Sequence, residues 1–208
     1  MHIGVFDSGK GGAIVASHLQ QTFPDLTFVV VDDHDHVPYG NRSLEQIISL
    51  TTQAIQPLLA TCPIIIIACN TATAIAIEHL RQGYPSTQFI GFEPMLKTAA
   101  SLAQHITVLA TPATITSKRY QLLKQTHCQD VQVDEPDVSS WASLIELGQA
   151  DRLSYDSLQK SVETGSQVII LACTHYLAVE QKLAATFPST TVLQPVPAIA
   201  ARLRALIS

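Results

Sequence analysis

The chain repeats itself. Residues 64–80, IIIIACNTATAIAIEHL, spell a β-branched run, Ala-Cys, a polar pair and a helical pattern, and residues 168–183, VIILACTHYLAVEQKL, spell the same order. Residues 3–12, IGVFDSGKGG, and 106–115, ITVLATPATI, form a second matched pair: a strand, small polar residues, a helix start. Cys69 and Cys173 stand 104 residues apart, Ile3 and Ile106 stand 103 apart. Two independent segments returning at nearly one period describe an α/β unit laid down twice. A break falls near Glu93-Pro94. The expected halves are residues 1–93 and 94–187, with the last strand and helix, 188–208, returning to the first.

Within each half, short apolar runs alternate with longer segments of helical period. The runs expected as strands are Ile3–Phe6, Thr27–Val31, Ile64–Ala68, Gln88–Gly91, Ile106–Ala110, Val131–Asp134, Val168–Ala172 and Thr191–Leu193. Several are continuous Val, Ile and Leu instead of alternating, as in strands covered on both faces. Ser43 to Leu59 reads as one amphipathic helix opened by a capping box, Ser43-x-x-Gln46. Phe23-Pro24, Tyr84-Pro85 and Phe187-Pro188 each stop a helix just before a β-rich segment. The fold class is therefore α/β, mainly parallel and doubly wound, in two similar halves.

Composition narrows the function classes. Hydrophobic residues make up 47% and charged ones 14%, yet no apolar run nears the roughly 18 residues of a membrane span. Met1-His2-Ile3-Gly4 shows neither the basic nor the apolar region of a secretory signal, so a cytoplasmic location is expected. With 12 basic against 17 acidic residues, a broad phosphate-binding surface for nucleic acid is not expected. Four cysteines without a CxxC pair argue against both disulfides and a zinc framework. Cys62 and Cys128 read as small buried hydrophobes.

Ligands in open α/β sheets collect beyond the carboxyl ends of the strands. Four polar clusters hold that position: Asp7-Ser8-Gly9, Cys69-Asn70-Thr71, Thr111 to Thr114, and Cys173-Thr174-His175. Each is expected at a helix N-terminus, where free N–H groups favour carboxylates. If the halves face each other, Cys69 and Cys173 approach one ligand from opposite sides. Inverting a stereocentre by proton transfer needs a base on one face and an acid on the other, and a thiol can be tuned to either role.

The segments GVFDSGKGG (4–12), VPYGNRS (37–43), ACNTATA (68–74), GFEP (91–94), LATPATITS (109–117), LIELG (144–148) and LACTHY (171–176) together resemble the cofactor-independent glutamate racemases of the aspartate/glutamate racemase superfamily. The resemblance implies two pseudo-symmetric α/β domains with the site in the cleft between them, and no cofactor or metal. It implies interconversion of L- and D-glutamate, supplying D-glutamate for peptidoglycan. Cys69 and Cys173 would be the catalytic acid/bases, Asp7 assisting the first, Glu146 and His175 the second. Asp7, Ser8, Tyr39, Gly40, Asn70, Thr71, Thr114, Thr174 and His175 would hold the amino acid. The partners implied are a small-molecule substrate and a second copy of the chain in a homodimer, with neither nucleic acid nor membrane. The chain is shorter than most members, Pro is missing before Ile145-Glu146, and Leu177 follows CTHY where the family has Pro.

Rival readings exist. GVFDSGKG (4–11) comes near a P-loop, but Gly11 stands where the magnesium-binding hydroxyl belongs. DDHDH (32–36) alternates potential metal ligands, yet reads better as a solvated acidic loop. Lys10 reads as an exposed loop residue, and His18, His79, His105 and His127 as surface or capping residues. Racemisation of aspartate or another amino acid, and a non-catalytic amino-acid-binding protein, complete the alternatives.

Overall fold

All eight apolar runs become strands, and they divide between two sheets. The computed structural model describes residues 1–208. In the first half are β1 (His2–Asp7), β2 (Thr27–Asp32), β3 (Ile64–Ile67) and β4 (Gln88–Gly91), in the order β2-β1-β3-β4. In the second are β5 (His105–Ala110), β6 (Gln132–Asp134), β7 (Val168–Ala172) and β8 (Thr191–Leu193), in the order β6-β5-β7-β8. Every pairing is parallel. The second order is the first shifted by four strands, so the duplicated sequence is a duplicated topology.

The first half carries helices α1 (Gly11–Thr22), α2 (Leu44–Ala54), α3 (Gln56–Leu59) and α4 (Asn70–Gly83). The second carries α5 (Leu96–Leu102), α6 (Pro112–Thr116), α7 (Lys118–His127), α8 (Trp141–Glu146), α9 (Asp156–Glu163) and α10 (Glu180–Thr186), and α11 (Val196–Ile207) ends the chain. Ser43 and Gln46 form the expected capping box at the start of α2. The single helix expected from 43 to 59 is broken at Ile55, because Pro57 has no N–H to continue the ladder. No helix is long and apolar enough to cross a membrane.

β3 and β7 are buried along their whole length, which is why they read as unbroken apolar runs. A single cluster of 29 buried residues joins Ile3 and Ile66 of the first sheet to Ile169 and Leu171 of the second, so the halves share one core. The C-terminal segment divides. β8 pairs with β7 and stays in the second sheet, whereas α11 lies against α1 and β4. Only the helix returns to the first half, not the whole of 188–208. The short connection through α10 delivers β8 to the open edge beside β7, as a parallel crossover does. His105 also departs from expectation: it opens β5, buried, with Nε2 2.8 Å from Asp134 Oδ2.

Candidate active site

The carboxyl ends of β1, β3, β5 and β7 bring the four polar clusters to one place between the halves. Cys69 is the N-cap of α4, and its sulfur accepts the Ala72 amide at 3.4 Å. Ser8 Oγ lies 3.3 Å from the same sulfur. Cys173 ends β7 differently. The helix expected there begins only at Glu180, and Thr174–Val179 form 3-10 turns instead. Tyr176 anchors those turns by its full burial and a 3.2 Å bond from its hydroxyl to the Val138 carbonyl. The Cys173 sulfur sits 3.6 Å from His175 Nδ1.

Both thiols line a single cavity of about 10 Å³, together with Ser8, Tyr39, Gly40, Asn70, Thr71, Thr111, Thr174 and His175. That is room for about one water, so the halves leave only a narrow space between the thiols. Besides the thiols, the His175 ring and apolar Pro38 and Ala142, the lining is hydroxyl and amide, with no Lys or Arg. Thr71, Thr111 and Thr114 form a triangle of hydroxyls at 2.9–3.3 Å. Asn70 donates Nδ2 to the Phe92 carbonyl at 2.9 Å, while its Oδ1 is buried with no partner. An acceptor left so is costly unless something donates to it. Tyr39 turns its hydroxyl away, onto Asp33 Oδ2 at 2.7 Å.

Three of the sequence-derived residues stand behind this lining. Thr114 supports Thr71 and Thr111. Asp7 accepts Thr174 Oγ1 at 2.8 Å and the Gly9 amide at 3.1 Å, a carboxylate of the first half holding a hydroxyl of the second. It makes no bond to Cys69; Ser8 is the group that touches that thiol. Glu146 takes His175 Nε2 at 2.8 Å. The glycines of DSGKGG make these approaches feasible: a Cβ on Gly11 would lie 2.5 Å from Thr174 Cβ, and one on Gly9 would lie 2.8 Å from Glu146 Oε2.

Electrostatics follow from burial. Burial pushes the Cys69 thiol up to about 11, Asp7 adding to the rise while bonds from Ser8 and Ala72 offset part of it. Burial raises Cys173 further, and Cys69 adds to it. Asp7 is raised by burial against the opposing pull of His175, Thr174 and Gly9. Partial burial lifts Glu146, but the bonds from His175 and Lys10, with their charges, outweigh it and hold the carboxyl below its usual value. Both thiols are therefore held in the protonated form at neutral pH.

Sequence reasoning missed part of the surround. Lys10 is exposed as expected, yet its Nζ donates to the Glu146 carbonyl at 2.9 Å. The DDHDH loop is solvated at Asp32, His34 and Asp35, as expected, but it also reaches toward the site. Asp33 holds Tyr39 and His36, and His34 Nδ1 lies 3.4 Å from Glu146 Oε1. The alternating pattern marked the loop as unusual but not which way it faces.

The chain is similar to known proteins along nearly its whole length. The family model described as Asp/Glu/Hydantoin racemase matches residues 13–203. A glutamate racemase of Pseudomonas aeruginosa is 35% identical over 99% of this chain and 81% of its own length. Among solved structures, Escherichia coli glutamate racemase in complex with L-glutamate and the activator UDP-MurNAc-Ala superposes with a TM-score of 0.84 at 25% identity, covering 99% of this chain and 81% of that one. Francisella tularensis glutamate racemase in complex with D-glutamate gives 0.83 at 27% identity, over 99% and 80%.

Proposed function

Since this chain belongs to the Asp/Glu/Hydantoin racemase family, we propose that it interconverts L- and D-glutamate, moving the Cα proton between two thiols. The observation that carries the reading is the pairing of Cys69 and Cys173. They hold corresponding positions of two duplicated sheets, and both line one small cavity. One thiolate takes the Cα proton from one face while the other thiol delivers its own proton to the opposite face. The cysteines then exchange roles for the reverse reaction.

The cavity suits an amino dicarboxylate. Its ammonium donates to the unpartnered Asn70 Oδ1 and supplies the positive charge that favours a thiolate nearby. Its carboxylates accept from the hydroxyls of Ser8, Thr71 and Thr111 and from the Tyr39-Gly40 turn, beside Thr174, whose own hydroxyl stays on Asp7. Fixed donors in a water-poor site stabilise charge that develops at Cα as the proton leaves. Asp7 assists on the Cys69 side, His175 and Glu146 on the Cys173 side. The D-glutamate formed would feed peptidoglycan synthesis.

Polarimetric circular dichroism tests this directly. Each enantiomer of glutamate should lose its signal with the purified chain and no added cofactor, and aspartate should lose it far more slowly. Cys69→Ser and Cys173→Ser should each lower kcat/KM by about 10²–10⁴-fold, the usual share of a general acid or base. Glutamate signals that stay constant, or full turnover by either variant, would overturn the reading.

A further inference from the structure

Glu146 ends the short helix α8 and is followed by exposed Leu147 and by Gly148 at φ 72°. Its own stretch of chain gives the carboxyl little support. One bond comes from its own half, the 2.8 Å contact of Oε2 with His175 Nε2. The first half supplies the rest. The Lys10 amide donates to Oε2 at 3.4 Å, and Lys10 Nζ lies 3.7 Å from Oε1. His34 Nδ1 lies 3.4 Å from Oε1, and its Nε2 is 3.6 Å from Asp32 Oδ2.

Lys10 follows β1 and His34 follows β2, so two loops of one half converge on a carboxylate of the other. From there the contacts run inward, through His175 to the Cys173 sulfur. Cys69 is served differently: its sulfur's partners, Ser8 and the Ala72 amide, belong to its own half, and nearby Asp7 takes one bond across the cleft, from Thr174. Several contacts cross the cleft to one carboxylate on the Cys173 side, against the single Thr174–Asp7 bond on the Cys69 side.

We propose that His34, together with Lys10, is a positioning residue for Cys173. By holding Oε1 of Glu146 it keeps Oε2 on the Nε2–H of His175, which leaves Nδ1 unprotonated and facing the thiol. His34 and Lys10 meet Glu146 only when the halves meet, so the ring beside Cys173 is set as the cleft shuts. This rests on the two-thiol reading above and adds an asymmetry to it.

The asymmetry is measurable. Enantiomers have equal free energy, so kcat/KM must remain equal in the two directions for any variant. Weakening one thiol's support makes the proton transfer at that thiol more rate-limiting. The primary isotope effect with Cα-deuterated glutamate then rises for one enantiomer and falls for the other. His34→Ala should lower kcat/KM by up to about fivefold, the worth of one partly exposed ion-pair contact, and split the isotope effects in this way. The nitrogen-15 signals of His175 should move away from a single Nε2–H tautomer. His34→Gln, which keeps a donor, should restore both. The His34 side chain is 48% exposed, so these changes spare the core.

Isotope effects that shift equally in both directions, or a His175 tautomer identical in His34→Ala and the parent, would overturn the proposal. Were the parent inactive on glutamate, the function proposed above would fall. The nitrogen-15 comparison would still decide whether His34 sets the ring.

Discussion

Cys69 and Cys173 carry an energetic cost that is itself a test of their burial. A thiol whose folded value is raised above its unfolded one contributes stability that is complete below the unfolded value and lost as pH rises through the folded one. For Cys69 the window runs from 9.0 to about 11. By pH 10 the loss is about 1 kcal/mol. Urea melts should show Cys69→Ser, whose hydroxyl does not titrate there, losing less stability than the parent between pH 8 and pH 10. Parallel losses would mean that Cys69 is not held as a buried neutral thiol. The two cysteines were legible in the sequence because the repeat set them in register, each after a buried strand. Lys10 and His34 were not: their meaning lies in a carboxylate more than a hundred residues away in sequence, across the cleft. Asn70 was legible as a polar residue beside a cysteine, but only packing shows that Nδ2 is spent on Phe92 and Oδ1 is left over.

Strands and helices were the most readable elements, for different reasons. β3 and β7 are sandwiched on both faces, so burial forces an unbroken apolar run that cannot be mistaken for an alternating strand. Ile66 is fully buried between the layers, and Ile66→Ala should cost about 2–5 kcal/mol in urea denaturation. A loss under 1 kcal/mol would place β3 outside the core. The 3-10 turns after Cys173 were not readable, since THYLAV has helical spacing and departs from it only because Tyr176 is drawn into the shared core. The glycine loop after β1 is a sharper case. Gly11→Ala pushes a methyl against Thr174 and should destabilise by about 1–3 kcal/mol through overpacking. Gly83→Ala, with nothing within 4 Å of the added Cβ, should be neutral or slightly stabilising. Equal effects at the two positions would remove the close approach of the halves from the account.

At the scale of the whole molecule, duplication explains both the architecture and the chemistry. One unit supplies a sheet and a cysteine at the end of its third strand; two units facing each other supply a cavity with a thiol from each, the pair proposed to move the proton. The halves share a core yet shut on a space of about 10 Å³, which no amino acid enters without their parting. Bound glutamate should therefore be held by both halves at once. It should raise the melting temperature in proportion to ln(1 + [L]/Kd), worth about 2.7 kcal/mol at a hundred times Kd. A melting curve unmoved by saturating D- and L-glutamate would contradict a site built from both. The boundary of the returning segment was the fold feature the sequence misplaced. Pairing to an open sheet edge decides where β8 goes, and nothing in Thr191–Leu193 names the edge.

The central claim is that two different thiols serve the two faces of Cα, and the hydrogen they deliver records it. Each glutamate enantiomer is incubated with the enzyme in deuterated water to a few per cent conversion, and product and remaining substrate are separated and read by proton NMR. If separate thiols act, the product carries deuterium at Cα essentially throughout, while the recovered substrate keeps its protium, and this holds in both directions. Product that retains the original protium would mean that one group removes and returns the same hydrogen, and the two-cysteine account would be wrong.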